Sequence, residues 1–157
     1  MNEEVFTAWM QRLGEAWEEG DAHAAADLFS TNVVYRENPF DEPLRGRGAV
    51  ERYWQEMVAE QEEVVVSFEV LAVTDERAVV NWQTHYTDVK TKERAIVNGV
   101  SVGRFSGEGL CGEWLEWWHK KTVILSEALA ERKNLCPCLL AWSRMKDETL
   151  THSLRVT

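Results

Sequence analysis

The sequence predicts an α+β domain in which helices lie on one face of a largely antiparallel sheet. Up to about residue 60, apolar residues recur every three or four positions, which is typical of amphipathic helices. From residue 64 to residue 119 they tend to recur at every second position, which is typical of strands. A run of helices followed by a run of strands indicates this class rather than alternating helix–strand units.

Three helices are expected before Gln61, and each has an identifiable start or end. Gly20 ends the first helix and Asp21 can cap the second, while Gly46-Arg47-Gly48 opens the third. The apolar side of the first helix comprises Val5, Phe6, Trp9, Met10, Leu13 and Trp17. The second carries Ala24, Ala25, Leu28 and Phe29. The third carries Val50, Tyr53, Trp54, Met57 and Val58.

One short strand, Val33 to Tyr35, separates the second and third helices, and four more strands follow Gln61. They are expected at residues 64–73, 78–87, 94–105 and 110–119, joined by polar or glycine-containing turns. In the second of these four strands, one face comprises Ala78, Val80, Trp82, Thr84 and Tyr86. The other face comprises Asn81, Gln83 and His85, so the first face should point inward.

Composition narrows the partners. The net charge of −10 would repel a nucleic-acid backbone, so we expect no nucleic acid. No apolar run reaches the ~20 residues that a membrane helix needs, and no secretory signal is visible. Three cysteines (Cys111, Cys136, Cys138) form no disulfide framework, which favours a cytoplasmic protein with free thiols. No motif indicates a metal or another cofactor, and Cys136-Pro137-Cys138 is weak evidence for zinc.

Residues 122–157 differ from residues 1–121, which we predict to be the folded domain. All nine glycines precede residue 122, and the tail has five basic and four acidic residues. Four interpretations stay open for this tail: a cover over the domain, an assembly segment, a poorly ordered end, or sequence from a shifted reading frame.

Several segments in a fixed order resemble the nuclear transport factor 2 superfamily, in its SnoaL-like and ketosteroid-isomerase-like branch. These are EAWEEGDAHAAADLFSTNVVYRENP, then GRGAVERYW, and at the end GRFSGEGLCGEWLEWWHKK. The resemblance covers residues 1 to about 121 and implies a cystatin-like cone, in which a strongly curved sheet wraps around three helices. It also implies a mostly apolar pocket at the open end of the cone, and members of this superfamily include both enzymes and binding proteins. Since sites are grafted onto folds, the activity stays open.

The same resemblance argues against steroid isomerisation. That chemistry needs a carboxylate base and two acidic hydrogen-bond donors. The family's base position falls on Asn38, and the two donor positions fall on Leu13 and Ser101. An amide cannot take a proton at neutral pH, and leucine has no donor. We therefore expect Asn38 and Ser101 to act at most as hydrogen-bonding groups in the pocket, and an Asn-Pro strand end is the alternative for Asn38.

The predicted pocket is aromatic and contains one acid. In the family's geometry Trp114, Glu116 and Trp118 share the inner face of the last strand. The full expected lining is Leu13, Trp17, Asn38, Tyr53, Trp54, Trp82, Tyr86, Ser101, Trp114, Glu116 and Trp118. Burial among rings would raise the pKa of Glu116 and suit it to acid–base catalysis. The alternative is a glutamate at the pocket rim paired with Arg36 or Arg104.

The sequence thus predicts a SnoaL-like protein that binds a small organic molecule. Two alternatives stay open: a cofactor-free isomerase, dehydratase or hydrolase that uses Glu116, and a non-catalytic interaction module. A homodimer is expected through the outer sheet face. That face comprises Asn81, Gln83, His85, Ile96, Val100 and Val102.

Overall fold

A computed structural model describes residues 2–107 and 109–123. The helices are α1 (Glu3–Glu19), α2 (Ala22–Asp27) and α3 (Arg47–Ala59). The strands are β1 (Phe29–Arg36), β2 (Leu44–Arg45), β3 (Gln61–Val73), β4 (Arg77–Asp88), β5 (Arg94–Phe105) and β6 (Cys111–Val123). The α+β class is therefore confirmed. The prediction for the tail lies outside the described residues, apart from Thr122 and Val123, which continue β6.

The sheet has six strands in the order β2-β1-β6-β5-β4-β3 and is mixed rather than wholly antiparallel. β3 pairs antiparallel with β4, and β4 with β5, whereas β1 runs parallel to β6. The register of β3 against β4 shifts twice, between Glu62 and Val65 and between Val70 and Ala72. Because such bulges increase local bend and twist, they help the sheet to curve around the helices.

The helix boundaries follow the capping residues. The Asn2 side chain accepts a hydrogen bond from the Val5 amide at 2.8 Å and so begins α1. Gly20 ends it with a positive φ of 70°, a conformation that favours glycine. Asp21 then caps α2 by accepting from the Ala24 amide at 2.9 Å. The chain thus turns within two residues, which places α2 beside α1.

Three local predictions differ from the structure. The second helix ends at Asp27, two residues before Phe29, because Phe29 already pairs with Cys111 of β6. Val5 was expected on the buried side of α1 but is 49% exposed. The two-residue strand β2 was not expected at all, and it pairs with Val34 and Tyr35.

The core lies between α1 and the concave face of the sheet. All five residues predicted to point inward from β4 are buried: Ala78, Val80, Trp82, Thr84 and Tyr86. From α1, Phe6, Trp9, Met10 and Leu13 are buried against them. Alternation in β4 and the helical period in α1 thus bring two apolar surfaces together, and burial of such surfaces is the main stabilising contribution to folding. Within the described ranges, no helix is long and apolar enough to cross a membrane.

Candidate functional site

A cavity of about 190 Å³ lies between α1, α3 and the inner faces of β1 and β3 to β6. Eight aromatic side chains line it: Trp17, Tyr35, Tyr53, Trp54, Trp82, Tyr86, Trp114 and Trp118. Met10, Leu13, Gly14, Met57, Val66 and Val97 complete its apolar surface. Its other polar side chains are Glu37, Gln61, Glu116 and Lys120. An apolar hollow with a few polar groups is the usual form of a small-molecule site.

Trp17 builds one wall of the cavity from the last turns of α1. Its ring lies 5.4 Å from that of Trp54 on α3 and 5.6 Å from that of Trp82 on β4. Its indole N–H donates to Gln61 Oε1 at 2.8 Å. Since aromatic pairs at this separation attract one another and the N–H has a partner, this wall is held in a defined position.

A glycine on β5 makes room for the Trp82 ring. A Cβ added at Gly99 would come within 2.6 Å of Trp82 Cζ2 and within 2.9 Å of Trp118 Cβ. Trp82 therefore lies flat over the β5 backbone, and its N–H donates to Ser101 Oγ at 2.8 Å. Ser101 is fully buried and fixes the tryptophan, so it does not line the cavity as the sequence analysis expected.

Glu116 is the acid at the centre of the polar end of the cavity. Its Oε1 accepts hydrogen bonds from the Tyr35 hydroxyl at 2.8 Å and from Trp114 Nε1 at 2.5 Å. Burial among the rings raises the pKa of Glu116 to about 7, while these two hydrogen bonds oppose the rise. Within residues 2–107 and 109–123, no side chain hydrogen-bonds to Oε2, so this oxygen is available to a bound molecule.

A second acid and a second tyrosine lie beside this group. Tyr53 on α3 interacts electrostatically with both Glu116 and Glu37, and its ring centre lies 5.7 Å from that of Tyr35. Burial, followed by the charge of Glu116, raises the pKa of both tyrosines well above the usual value. Both hydroxyls therefore keep their protons at neutral pH. The polar end of the cavity thus has two carboxyl groups: Tyr35 is hydrogen-bonded to Glu116, and Tyr53 lies near both acids.

The one basic group among the described lining residues is Lys120. Its Nζ lies 5.2 Å from the centre of the Tyr86 ring. A hydrogen bond with Tyr86 is the main cause that raises the pKa of Lys120. Lys120 follows Glu116 by four residues on β6, a distance of about 13 Å along a strand. The charged groups therefore lie apart along the cavity wall, with the acids at one end.

Nine of the eleven predicted site residues line the cavity: Leu13, Trp17, Tyr53, Trp54, Trp82, Tyr86, Trp114, Glu116 and Trp118. Ser101 and Asn38 do not. Asn38 is exposed, and its Oδ1 accepts from the Phe40 amide at 3.1 Å. It therefore shapes the turn after β1, which is the alternative that the sequence left open.

Glu37 lines the cavity, whereas the sequence predicted that Asn38 would do so. Side chains alternate along a strand, so Val33 and Tyr35 lie on the inner side of β1, and Glu37, one residue past its end, continues this alternation. Extending that alternation by one step would have found Glu37. The proposed arginine partners of Glu116 are also engaged elsewhere. Arg36 donates to the Asp41 carbonyl at 2.8 Å, and Arg104 lies 3.6 Å from Glu76.

Neither a metal site nor a reactive thiol is evident in the described part of the chain. No group of three or more His, Cys, Asp and Glu side chains is placed there to hold a metal ion. Cys111 is a free, fully buried thiol whose pKa is raised by burial. A buried thiol with a raised pKa is a poor nucleophile. Glu116 and Glu37 are the two carboxyl groups among the described residues that line the cavity.

Comparisons with known proteins agree with this architecture. SalBIII, described as an epoxide hydrolase/cyclase-like enzyme in pyran ring formation in the polyether salinomycin, has 19% identity and a TM-score of 0.68 over 78% of this chain and 98% of its own. The Delta 5-3-ketosteroid isomerase from Mycobacterium sp. has 18% identity and a TM-score of 0.64 over 76% and 98%. A computationally designed 17-OHP binder has 19% identity and a TM-score of 0.61 over 73% and 96%.

At these identities the similarity establishes the fold and not the activity. No curated protein sequence matches the chain. The family model for the SnoaL-like domain matches residues 10–114, which is more than half of the 157 residues. The chain therefore belongs to the SnoaL-like domain family of the nuclear transport factor 2 superfamily.

Proposed function

We propose that the cavity binds a small, largely apolar organic molecule and that Glu116 exchanges a proton with it without a cofactor. One observation carries this proposal: a carboxyl group with a pKa of about 7 lies in an aromatic cavity with one oxygen held and the other available. General acid–base catalysis is most effective when the pKa of the group lies near the working pH. At pH 7 this glutamate is present in both forms.

The two oxygens of Glu116 have separate roles in this proposal. Tyr35 and Trp114 hold Oε1 and so fix the direction of Oε2. As a base, Oε2 takes a proton from a C–H or O–H group of the bound molecule, and the bond electrons stay on that molecule. As an acid, the same oxygen returns the proton at the same or another atom. The net reaction is an isomerisation, a ring closure or an elimination, none of which needs a redox partner.

The similar structures support a small-molecule role, since their names describe a cyclase-like enzyme, an isomerase and a designed binder. The residues of this chain argue against the isomerase mechanism. The three family positions fall on Leu13, Asn38 and Ser101. Leu13 is an apolar residue of the cavity wall, Asn38 is an exposed turn residue, and Ser101 accepts the hydrogen bond from Trp82. We therefore assign the proton transfer to Glu116 rather than to those positions.

A screen of small aromatic and polycyclic compounds with Glu116→Gln tests the assignment. Glutamine keeps an oxygen for Tyr35 and Trp114 but cannot take up a proton in this pH range. We expect neutral compounds to bind this variant still, as followed by tryptophan fluorescence, and any turnover found with the wild type to fall by at least about 100-fold at saturating compound. Glu113→Gln is the matched control, because Glu113 lies on the same strand and does not line the cavity.

The second candidate is a binding protein without catalysis. It is favoured by the eight aromatic side chains of the lining, which would hold a flat molecule whether or not Glu116 reacts. If Glu116→Gln left both binding and product formation unchanged, the acid–base role would be wrong. The binding role would then remain as the better account.

A homodimer through the outer sheet face is also part of the proposal. The expected contact residues Ile96, Val100 and Val102 are half-buried, while Trp117 on β6 is 47% exposed. Partly exposed apolar residues on a sheet face suit a second copy of the chain. Size-exclusion chromatography with light scattering should give twice the 18.1 kDa mass of the chain. A single monomeric species at micromolar concentration would rule the dimer out.

A further inference from the structure

The polar end of the cavity has an excess of negative charge. Glu37 and Glu116 both line it, and the charge of Glu37 contributes to the raised pKa of Glu116. Lys120, the one described lining cation, interacts with Tyr86 instead, about 13 Å along the strand from Glu116. Arg36 and Arg104 contact Asp41 and Glu76. No basic side chain of residues 2–107 and 109–123 therefore compensates these two acids directly.

The hydrogen-bond donors around the two acids do not balance their negative charge. Tyr35 and Trp114 both donate to Oε1 of Glu116. These donors are neutral, and Oε2 of Glu116 has no hydrogen-bond partner in the described part of the chain. A bound molecule that brought only a hydroxyl could satisfy Oε2, but it would leave two neighbouring carboxyl groups with unbalanced charge. A protonated amine can donate to Oε2 and balance the charge together, and a quaternary ammonium balances the charge without a hydrogen bond.

The walls of the cavity favour the same group. Aromatic faces attract cations through their negative quadrupoles, and tryptophan is the strongest of them. Trp17, Trp54, Trp82, Trp114 and Trp118 all line this cavity. Lys120 already makes this kind of contact with Tyr86 at 5.2 Å. An aromatic enclosure that ends in two carboxyl groups is therefore complementary to an organic cation.

We propose that the molecule bound in this cavity has a flat or apolar body and a cationic nitrogen, a protonated or quaternary amine, that lies between Glu116 and Glu37. This inference rests on the proposed function, since it names the class of molecule that the same cavity takes. It also sets the direction of the chemistry. A cation beside Glu116 favours the carboxylate, so the bound complex holds this residue in its base form.

Two probes of the same shape test the charge. Benzyltrimethylammonium is permanently cationic, and neopentylbenzene is its neutral isostere with carbon in place of nitrogen. Binding is followed by quenching of tryptophan fluorescence at pH 8 and at pH 6. We expect the cation to bind at least about tenfold more tightly than the isostere at pH 8.

The pH dependence follows from the ionisation of Glu116. The facing groups are Glu37 and Tyr35 from β1, Tyr53 from α3 and Lys120 from β6. Both tyrosines stay protonated over this range because the pKa of each is raised. With a pKa of about 7 for Glu116, affinity for the cation should fall by up to about tenfold from pH 8 to pH 6, because protonation removes the charge of this carboxylate. The isostere should show no such change.

Two variants test whether Glu116 causes the preference for the cation and its pH dependence. Glu116→Gln should weaken the cation at least about tenfold at pH 8 and remove the pH dependence, whereas Glu113→Gln should leave both unchanged. Equal binding of the two probes at pH 8, or an unchanged cation preference in Glu116→Gln, would overturn the cationic ligand and leave the proposed function standing. Binding of neither probe at millimolar concentration would contradict the proposed small-molecule function itself.

Discussion

Two parts of the interior are built from the same kind of residue but differ in packing. The closed half comprises Phe6, Trp9, Phe29 and Phe105, the hollow half comprises the residues around the cavity, and Trp114 borders both. Helix α1 contributes Trp9 to the first and Trp17 to the second. The two tryptophans are eight residues apart on one side of the helix, about 12 Å along its axis.

Their surroundings explain the difference. Trp9 contacts aromatic rings of β1, β5 and β6, with ring centres 5.6 Å away for Phe29 and 5.2 Å for both Phe105 and Trp114. Its N–H donates to the Leu28 carbonyl at 3.2 Å. In the hollow half, Trp54 Nε1 is buried without a hydrogen-bond partner among the described residues. Close packing thus stabilises the closed half. The hollow half contains a cavity, so its side chains make fewer van der Waals contacts and one buried N–H lacks a hydrogen bond.

Replacing each α1 tryptophan by alanine should give the largest difference in stability between the closed half and the hollow half. Trp9→Ala should lower the free energy of unfolding by about 3–5 kcal/mol, since it removes a ring enclosed by others. Trp17→Ala should cost less, about 1–2 kcal/mol, because its ring already borders an empty space. Urea unfolding followed by far-UV circular dichroism measures both without relying on tryptophan fluorescence.

The exposed Trp117 is the control for loss of a tryptophan as such. It is 47% exposed, so Trp117→Ala should change the free energy of unfolding of the monomer, measured below the concentration at which a dimer forms, by less than about 0.5 kcal/mol. Equal losses in Trp9→Ala and Trp17→Ala would mean that the two halves are packed alike. The distinction between a closed and a hollow half would then be wrong.

Gly99→Ala should disturb the hollow half alone. Its new Cβ would lie 2.6 Å from Trp82 Cζ2, so the ring must move toward the cavity. We expect a loss of about 1–3 kcal/mol in the free energy of unfolding, together with weaker binding of any cavity ligand. Gly112→Ala is the matched control on β6, because its nearest atom, Ser30 Oγ, would be 3.8 Å away. If Gly99→Ala left ligand binding unchanged, Trp82 would not limit the cavity.

The closed half and the strands were largely predictable from the sequence. Apolar alternation identified the inner face of β4, and β5 begins and ends at the predicted residues, Arg94 and Phe105. The period of α1 placed Trp9 and Trp17 on one side but could not distinguish them. That distinction depends on which rings the sheet brings opposite each residue, and no local pattern contains this information.

The polar end of the cavity was predictable only in part. Glu116 was found because it alternates with two tryptophans on one strand. Its hydrogen bond with Tyr35 joins residues 81 positions apart and depends on the parallel pairing of β1 with β6. The turns in the sequence predict hairpins, and no local pattern indicates a pairing between strands so far apart in the chain. The short strand β2, with only Leu44 and Arg45, is too brief to show any period.

The smallest expected effect is a pH dependence of stability that arises in the hollow half. The pKa of Glu116 is raised from its ordinary value near 4.5 to about 7 in the folded protein. Between these pH values the folded protein keeps a proton that the unfolded chain has lost. Through this residue, the free energy of unfolding therefore falls as pH rises from about 4.5 to about 7 and is level above that.

Comparison of the wild type with Glu116→Gln isolates this contribution from the other carboxylates, such as Asp88, whose pKa is lowered mainly by the Thr91 amide. Glutamine does not titrate, so the free energy of unfolding of the wild type minus that of Glu116→Gln should decrease from pH 4.5 to pH 7. Each pKa unit corresponds to about 1.4 kcal/mol, and water that reaches the half-buried carboxyl reduces the total to about 1–2 kcal/mol. Glu113→Gln should run parallel to the wild type, because Glu113 does not line the cavity. Parallel profiles for Glu116→Gln as well would show that the cavity does not perturb this acid, and the hollow half would then be no more than a gap in the packing.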